Sequence, residues 1–182
     1  TPTIYYGDEI GMVDVPIPPE RLQDLWAESL PQVGRDPCRT PMQWTGGPNA
    51  GFSPPETGEL WLPLADDYES VNVERELREP MSLLNLTCRL LAYRKATPAL
   101  TIGSYEPVDG VPEACYAYLR ETDEQRVLVV LNFSDRPERV RIAAREGGEI
   151  ALSTHLDRSG VVDLGALPVR GNEGLIIELA RS

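Results

Sequence analysis

The sequence predicts a mixed α and β chain: a long ordered loop, one amphipathic helix and then an all-β antiparallel sandwich. Three observations predict it. Eleven of the 17 prolines fall between Thr1 and Pro63, and that stretch has no sustained helical or alternating period after Tyr6. From 80 to 95, Met81, Leu84, Cys88 and Leu91 recur at three- and four-residue steps, with Leu83, Leu86 and Leu90 widening the stripe. Beyond Leu100 the texture turns to short β-rich runs separated by turn residues.

Each element follows in order. A loop this long inside a compact domain is functional or disordered, and Trp26, Trp44, Phe52 and Trp61 argue for order, because otherwise their rings would stand in water. Residues 19–26 form a short helix if Pro19 occupies its first turn. In the second helix Pro80 suits the first position, Arg94 and Lys95 suit the negative end of the dipole, and Pro98 is the stop. Strands are expected at 103–108, 115–120, 127–133, 139–142 and 175–179, with weaker ones at 161–164 and 149–154. The continuous apolar run at 127–131 fits a strand covered on both faces. Turns fall at Asp109-Gly110, Asp123-Glu124 and Gly147-Gly148. Alternation places Tyr116 and Tyr118 on one face, where core packing is the expected use.

Composition excludes several classes. The chain has 182 residues, a net charge of −12 and a pI near 4.5, so phosphate backbones and anionic membranes are repelled and neither nucleic acid nor membrane is a partner. Cys38, Cys88 and Cys115 are odd in number and lack short paired spacings, which suggests neither a disulfide framework nor a metal site but reduced thiols in a cytoplasm. Cys38 has no nearby His to activate it. His155, the only His, has no neighbouring nucleophile and is expected at the surface or a strand end.

The segment Gly34-Arg35-Asp36-Pro37-Cys38-Arg39-Thr40-Pro41-Met42-Gln43-Trp44 concentrates two cations, a carboxylate and an indole between prolines. Arg offers a planar fork of donors and Trp a flat apolar face. A sugar presents hydroxyls at its edge and C–H groups on its faces, so the pair suits a sugar. The plain alternative is a structural salt bridge of Arg35 or Arg39 with Asp36 beside a buried Trp.

Around this segment lie Thr1-Pro2-Thr3-Ile4-Tyr5-Tyr6-Gly7-Asp8-Glu9-Ile10-Gly11-Met12, Asn49-Ala50-Gly51-Phe52-Ser53, Trp61-Leu62-Pro63-Leu64 and Val71-Asn72-Val73. The ordered series resembles the C-terminal portion of an α-glucosidase of the α-amylase superfamily, glycoside hydrolase family thirteen, most densely over 1–106. The resemblance implies the last strand, long loop and last helix of a (β/α)8 barrel at 1–101 and a β-sandwich domain at 102–182. It also implies that the nucleophile and general acid lie on upstream barrel strands, so this chain carries no catalytic residue of its own. Thr1 in place of a translation start fits a fragment, expected to be inactive alone. Lacking most of the barrel, the fragment is expected to expose part of its helix face and to self-associate.

The resemblance makes Arg39 the substrate-binding residue, donating to the glucose at the non-reducing end. Asp8 and Glu9 follow the barrel strand but fall in its framework. Arg35 and Asp36 are expected to brace the loop by pairing, and Trp44 to act as a packing anchor. The implied activity is retaining hydrolysis of terminal α-linked glucose from a short oligosaccharide, with no redox or nucleotide cofactor. Linkage preference and any calcium site would belong to barrel loops outside this chain. Two rivals stand beside it: trehalose synthase, a maltose isomerase sharing the same words, and a non-catalytic carbohydrate-binding or docking module, which would need exposed aromatics on the sandwich.

Overall fold

In the computed structural model, which describes residues 2–24, 34–142 and 147–180, two glycines set the first turn. Gly7 (φ 93°) and Gly11 (φ 72°) take left-handed conformations on either side of the 3₁₀ turn Asp8–Ile10. Residues 2–5, which the resemblance makes a barrel strand, pair with no other strand among the described residues, and Ile4, Tyr5 and Tyr6 are exposed. A barrel strand is hydrogen-bonded only by its neighbours.

The chain divides into two compact units, Thr1–Thr87 and Cys88–Ser182. In the first, Pro19 starts only the 3₁₀ turn Pro19–Arg21; Leu22 turns extended and residues 22–24 are not helical, which corrects the expected helix, and its last two positions, with Trp26, lie outside the described residues. The described part of the long loop is ordered, for a different reason from the one expected. Trp44, Phe52 and Trp61 are 49%, 47% and 47% exposed, so Trp44 is not a packing anchor in this chain. Order comes instead from polar ties. Trp44 and Thr45 both donate their N–H to the Ala50 carbonyl at 2.9 Å, and Val73 and Glu74 donate to the carbonyls of Gln43 (3.0 Å) and Trp44 (2.9 Å). Ile10, Met42, Ala50, Leu62 and Ala65 supply the buried apolar side chains.

Helix α1, Val73–Arg78, went unanticipated; Asn72 caps it by accepting the Arg75 N–H at 2.9 Å. Helix α2, Leu83–Ala96, begins three residues after Pro80. The physical reason is Ser82, whose hydroxyl accepts the Asn85 N–H at 3.1 Å, while Glu76 Oε2 takes the Leu84 N–H at 2.8 Å. None of its residues is fully buried, and Leu83 and Leu91 are exposed. Pro98 ends α2 and opens the short helix α3, Pro98–Ile102.

The second unit is the sandwich. Its strands are β1 Ser104–Pro107, β2 Cys115–Glu121, β3 Arg126–Asn132, β4 Glu138–Val140, β5 Gly148–Ser153, β6 Gly160–Val162, β7 Leu167–Val169 and β8 Gly174–Leu179. Six form an antiparallel sheet in the order β1-β2-β3-β8-β5-β6, and β4 pairs with β7 in a second sheet. Interior β3 contributes Leu128 and Val130 to a cluster with Leu119, Leu167, Leu175 and Ile177. Its opposite face puts Val127 and Val129 against Ala99 and Leu100. The unbroken apolar run is thereby explained: both faces are covered.

Tyr116 and Tyr118 do share a face, because Cys115, Ala117 and Leu119 occupy the other. Core packing is only half of their use. Tyr118 lies half-buried against the Val127 and Val129 cluster, whereas Tyr116 is exposed and its hydroxyl meets that of exposed Tyr105. Burial pushes the Cys115 thiol up from its ordinary value. Among the described residues, no helix is long and apolar enough to cross a membrane, and no three His, Cys, Asp or Glu side chains are grouped to hold a metal.

Candidate functional site

Pro37 fixes a 3₁₀ turn at Asp36–Cys38, and Arg39 closes it by donating its N–H to the Asp36 carbonyl at 3.0 Å. Asp36 is fully buried. Its Oδ2 accepts the backbone N–H groups of Gln23 (2.7 Å) and Asp24 (2.8 Å), pinning the 23–24 segment against the turn. Asp24, also buried, turns its Oδ2 to Arg39 Nη2 at 2.6 Å and accepts the Arg35 N–H at 3.1 Å. The expected Arg35–Asp36 pair does not form. Arg35 Nε stands 3.6 Å from Asp24, and Asp36 spends its charge on backbone donors. Asp36 Oδ1 lies 4.0 Å from Arg39 Nη2, too far for a hydrogen bond.

The guanidinium of Arg39 is therefore held at one corner. Its side chain is 30% exposed, against 68% for Arg35. Among the described residues, Nη1 makes no hydrogen bond, and two buried atoms, Arg39 Nε and Asp36 Oδ1, have no hydrogen-bond partner. Buried polar atoms are ordinarily satisfied, so two beside one ion pair mark a polar locus that its own residues leave incomplete. Sequence reasoning selected Arg39 but missed Asp24, whose fifteen-residue separation has no helical or strand period to betray it.

Tyr6 and Cys38 adjoin this locus, and the other residues named for the first unit are tied up locally. Asp8 Oδ2 accepts the Tyr5 N–H at 3.0 Å and Glu9 Oε2 the Gly7 N–H at 2.8 Å, so both carboxylates fold back on their own backbone. The Tyr6 hydroxyl donates to the Thr40 carbonyl at 3.0 Å, and burial, with Tyr5 and Cys38 nearby, raises its pKa. Cys38 is exposed and donates Sγ–H to the Arg35 carbonyl at 3.1 Å. The Asn49-Ala50-Gly51 word is a run of three left-handed residues, which turns the Ala50 carbonyl toward the N–H groups of Trp44 and Thr45. A Cβ on Gly51 would sit 2.8 Å from Thr45 Oγ1.

The sandwich carries a second ion cluster. Buried Glu173 accepts from Ser153 Oγ (2.8 Å), Arg158 Nη1 (3.2 Å), and Arg170 through N (2.8 Å), Nε (3.1 Å) and Nη2 (2.7 Å). Arg170 also forks onto Asp157 at 2.6 and 2.7 Å. Those bonds bring the Asp157 carboxyl down to about 2. Burial alone would raise Glu173, but the Arg170 and Ser153 bonds outweigh it and leave its pKa lowered.

The family model of the α-amylase catalytic domain matches residues 1–103. The arginine-bearing loop thus lies within the part of the chain that the model matches. The chain belongs to the α-amylase family. It is 38% identical over 149 residues to the trehalose synthase/amylase TreS of Mycobacterium tuberculosis, covering 78% of this chain and 22% of that one. It is 41% identical over 140 residues to the salivary alpha-glucosidase of Aedes aegypti, covering 73% and 23%. The crystal structure of the trehalulose synthase MutB from Pseudomonas mesoacidophila superposes with a TM-score of 0.84 at 28% identity, covering 99% of this chain and 36% of that one. MutB variants have been solved with sucrose, its substrate, and with glucose. The chain thus spans about a quarter of the length of the curated relatives it matches.

Proposed function

We propose that the chain is the C-terminal portion of a retaining α-glucosidase that releases terminal α-linked glucose from short oligosaccharides. Arg39 is its substrate-binding residue, and the reacting carboxylates belong to the barrel outside the matched portion. The observation that carries this reading is the half-tethered guanidinium: Nη2 is fixed on Asp24, and Nη1 is left to donate to a hydroxyl. The family and the 41% identity to an α-glucosidase support it. Within it, the barrel portion ends at 101 and the sandwich domain begins at 102, in keeping with a family match that stops at 103. A reducing cytoplasmic setting belongs to the same proposal, supported by three free thiols.

A second reading, isomerisation of maltose to trehalose, is favoured by the 38% identity to trehalose synthase. Incubating the full-length enzyme with maltose separates the two: glucose release supports hydrolysis, and trehalose formation supports isomerisation. The proposal further expects this chain alone to be inactive and to self-associate through the exposed side chains of α2, including Leu83 and Leu91. Light scattering should show oligomers; a clean monomer would contradict that expectation.

A further inference from the structure

We infer that Asp24 is the positioning residue for Arg39, and that Asp36 is the post that fixes Asp24; this rests on the substrate role proposed above for Arg39.

The geometry forms a closed circuit. The Asp36 carboxylate takes the N–H groups of Gln23 and Asp24, which settles where the Asp24 backbone sits. The Asp24 carboxylate then reaches Arg39 Nη2 at 2.6 Å, a charge-assisted bond with both groups largely withdrawn from water. Arg39 closes the circuit through its own N–H on the Asp36 carbonyl. A long Arg side chain free to rotate would place its donors in many orientations. Anchored at Nη2 it offers Nη1 in one plane, and the cost of ordering the fork is met before a sugar arrives. Arg35 does not take this part: its side chain is mostly exposed and its approach to Asp24 is longer.

A double-mutant cycle in the full-length enzyme tests the assignment. Asp24→Ala should lower kcat/KM about tenfold by releasing the guanidinium. Asp24→Asn, which keeps an acceptor but loses the charge, should cost less, about threefold. In an Arg39→Ala background, Asp24→Ala should lower kcat/KM no further, because its influence on turnover passes through that arginine even though Asp24 also holds the Arg35 N–H. Additive losses would overturn the inference. Should Asp24→Ala fail to fold, Asp24→Asn completes the same cycle. Rotation of the Arg39 guanidinium about Nε–Cζ, followed by nitrogen NMR, supplies a readout independent of catalysis: slow in the native enzyme and faster in Asp24→Asn. Unchanged rotation would also overturn the inference. If Arg39→Ala leaves kinetics intact, the substrate role falls instead, and rotation alone judges whether Asp24 positions the side chain.

Discussion

The two ion clusters of this molecule use the same residue types to opposite ends. In the sandwich, Glu173 has both oxygens occupied by five donors, and Arg170 forks onto Asp157 as well. In the loop, among the described residues, Asp36 uses one oxygen and leaves the other buried without a hydrogen-bond partner, and the Arg39 side chain holds one hydrogen bond, to Asp24. A buried charge that is fully bonded within the chain has nothing left to offer a ligand, whereas one left short retains donors for something else. The first cluster serves the architecture, and under the proposed function the second serves recognition.

Four outcomes break or sharpen that contrast, taken from the largest effect to the smallest. Glu173→Ala should destabilise the sandwich by about 3–5 kcal/mol in urea unfolding, because Arg158 and Arg170 lose their buried counter-charge. A loss below about 1 kcal/mol would show that the cluster does not support the fold. Gly51→Ala should cost about 1–2 kcal/mol, since a side chain in the left-handed region is strained and its Cβ would press on Thr45. Melting with an unchanged midpoint would contradict the described turn.

The third outcome is a pH dependence. Asp157 and Glu173 both have folded pKa values lowered below their ordinary range, so their stabilisation is complete above that range and lost as pH falls through the folded values. For Asp157 the window runs from 3.8 down to about 2. Unfolding midpoints measured down that range should fall, and Glu173→Gln should flatten the slope. The smallest effect belongs to Asp36→Asn. An amide oxygen can replace Oδ2 toward the Gln23 and Asp24 N–H groups, so stability should change by about 1 kcal/mol or less. A collapse of the fold would mean that the charge, not the acceptor, fixes the turn.

Much of the sandwich was legible in the sequence because β-branched runs and turn residues alternate there. Strand β7 was not: it has three residues, and Pro168 in it argues against a strand until β4 is seen to pair with it. Helix α2 was legible in its stripe but not in its start, where the Ser82 cap prevails over the N1 preference of Pro80. The described part of the loop is ordered as expected, yet for Trp44, Phe52 and Trp61 burial was the wrong reason; backbone bonds to Ala50, Gln43 and Trp44 hold it. At the site, Arg39 stood out by its motif. Asp24 did not, because its contact with Arg39 depends on a turn that brings distant chain segments together, and sequence spacing carries no trace of it.

The central claim is that the loop arginine contacts sugar. A hydrogen bond to a charged group contributes about 1.5–3 kcal/mol. Arg39→Ala in the full-length enzyme should therefore lower kcat/KM on maltose by about tenfold to a hundredfold, with the catalytic carboxylates untouched. Kinetics indistinguishable from the native enzyme would contradict the account.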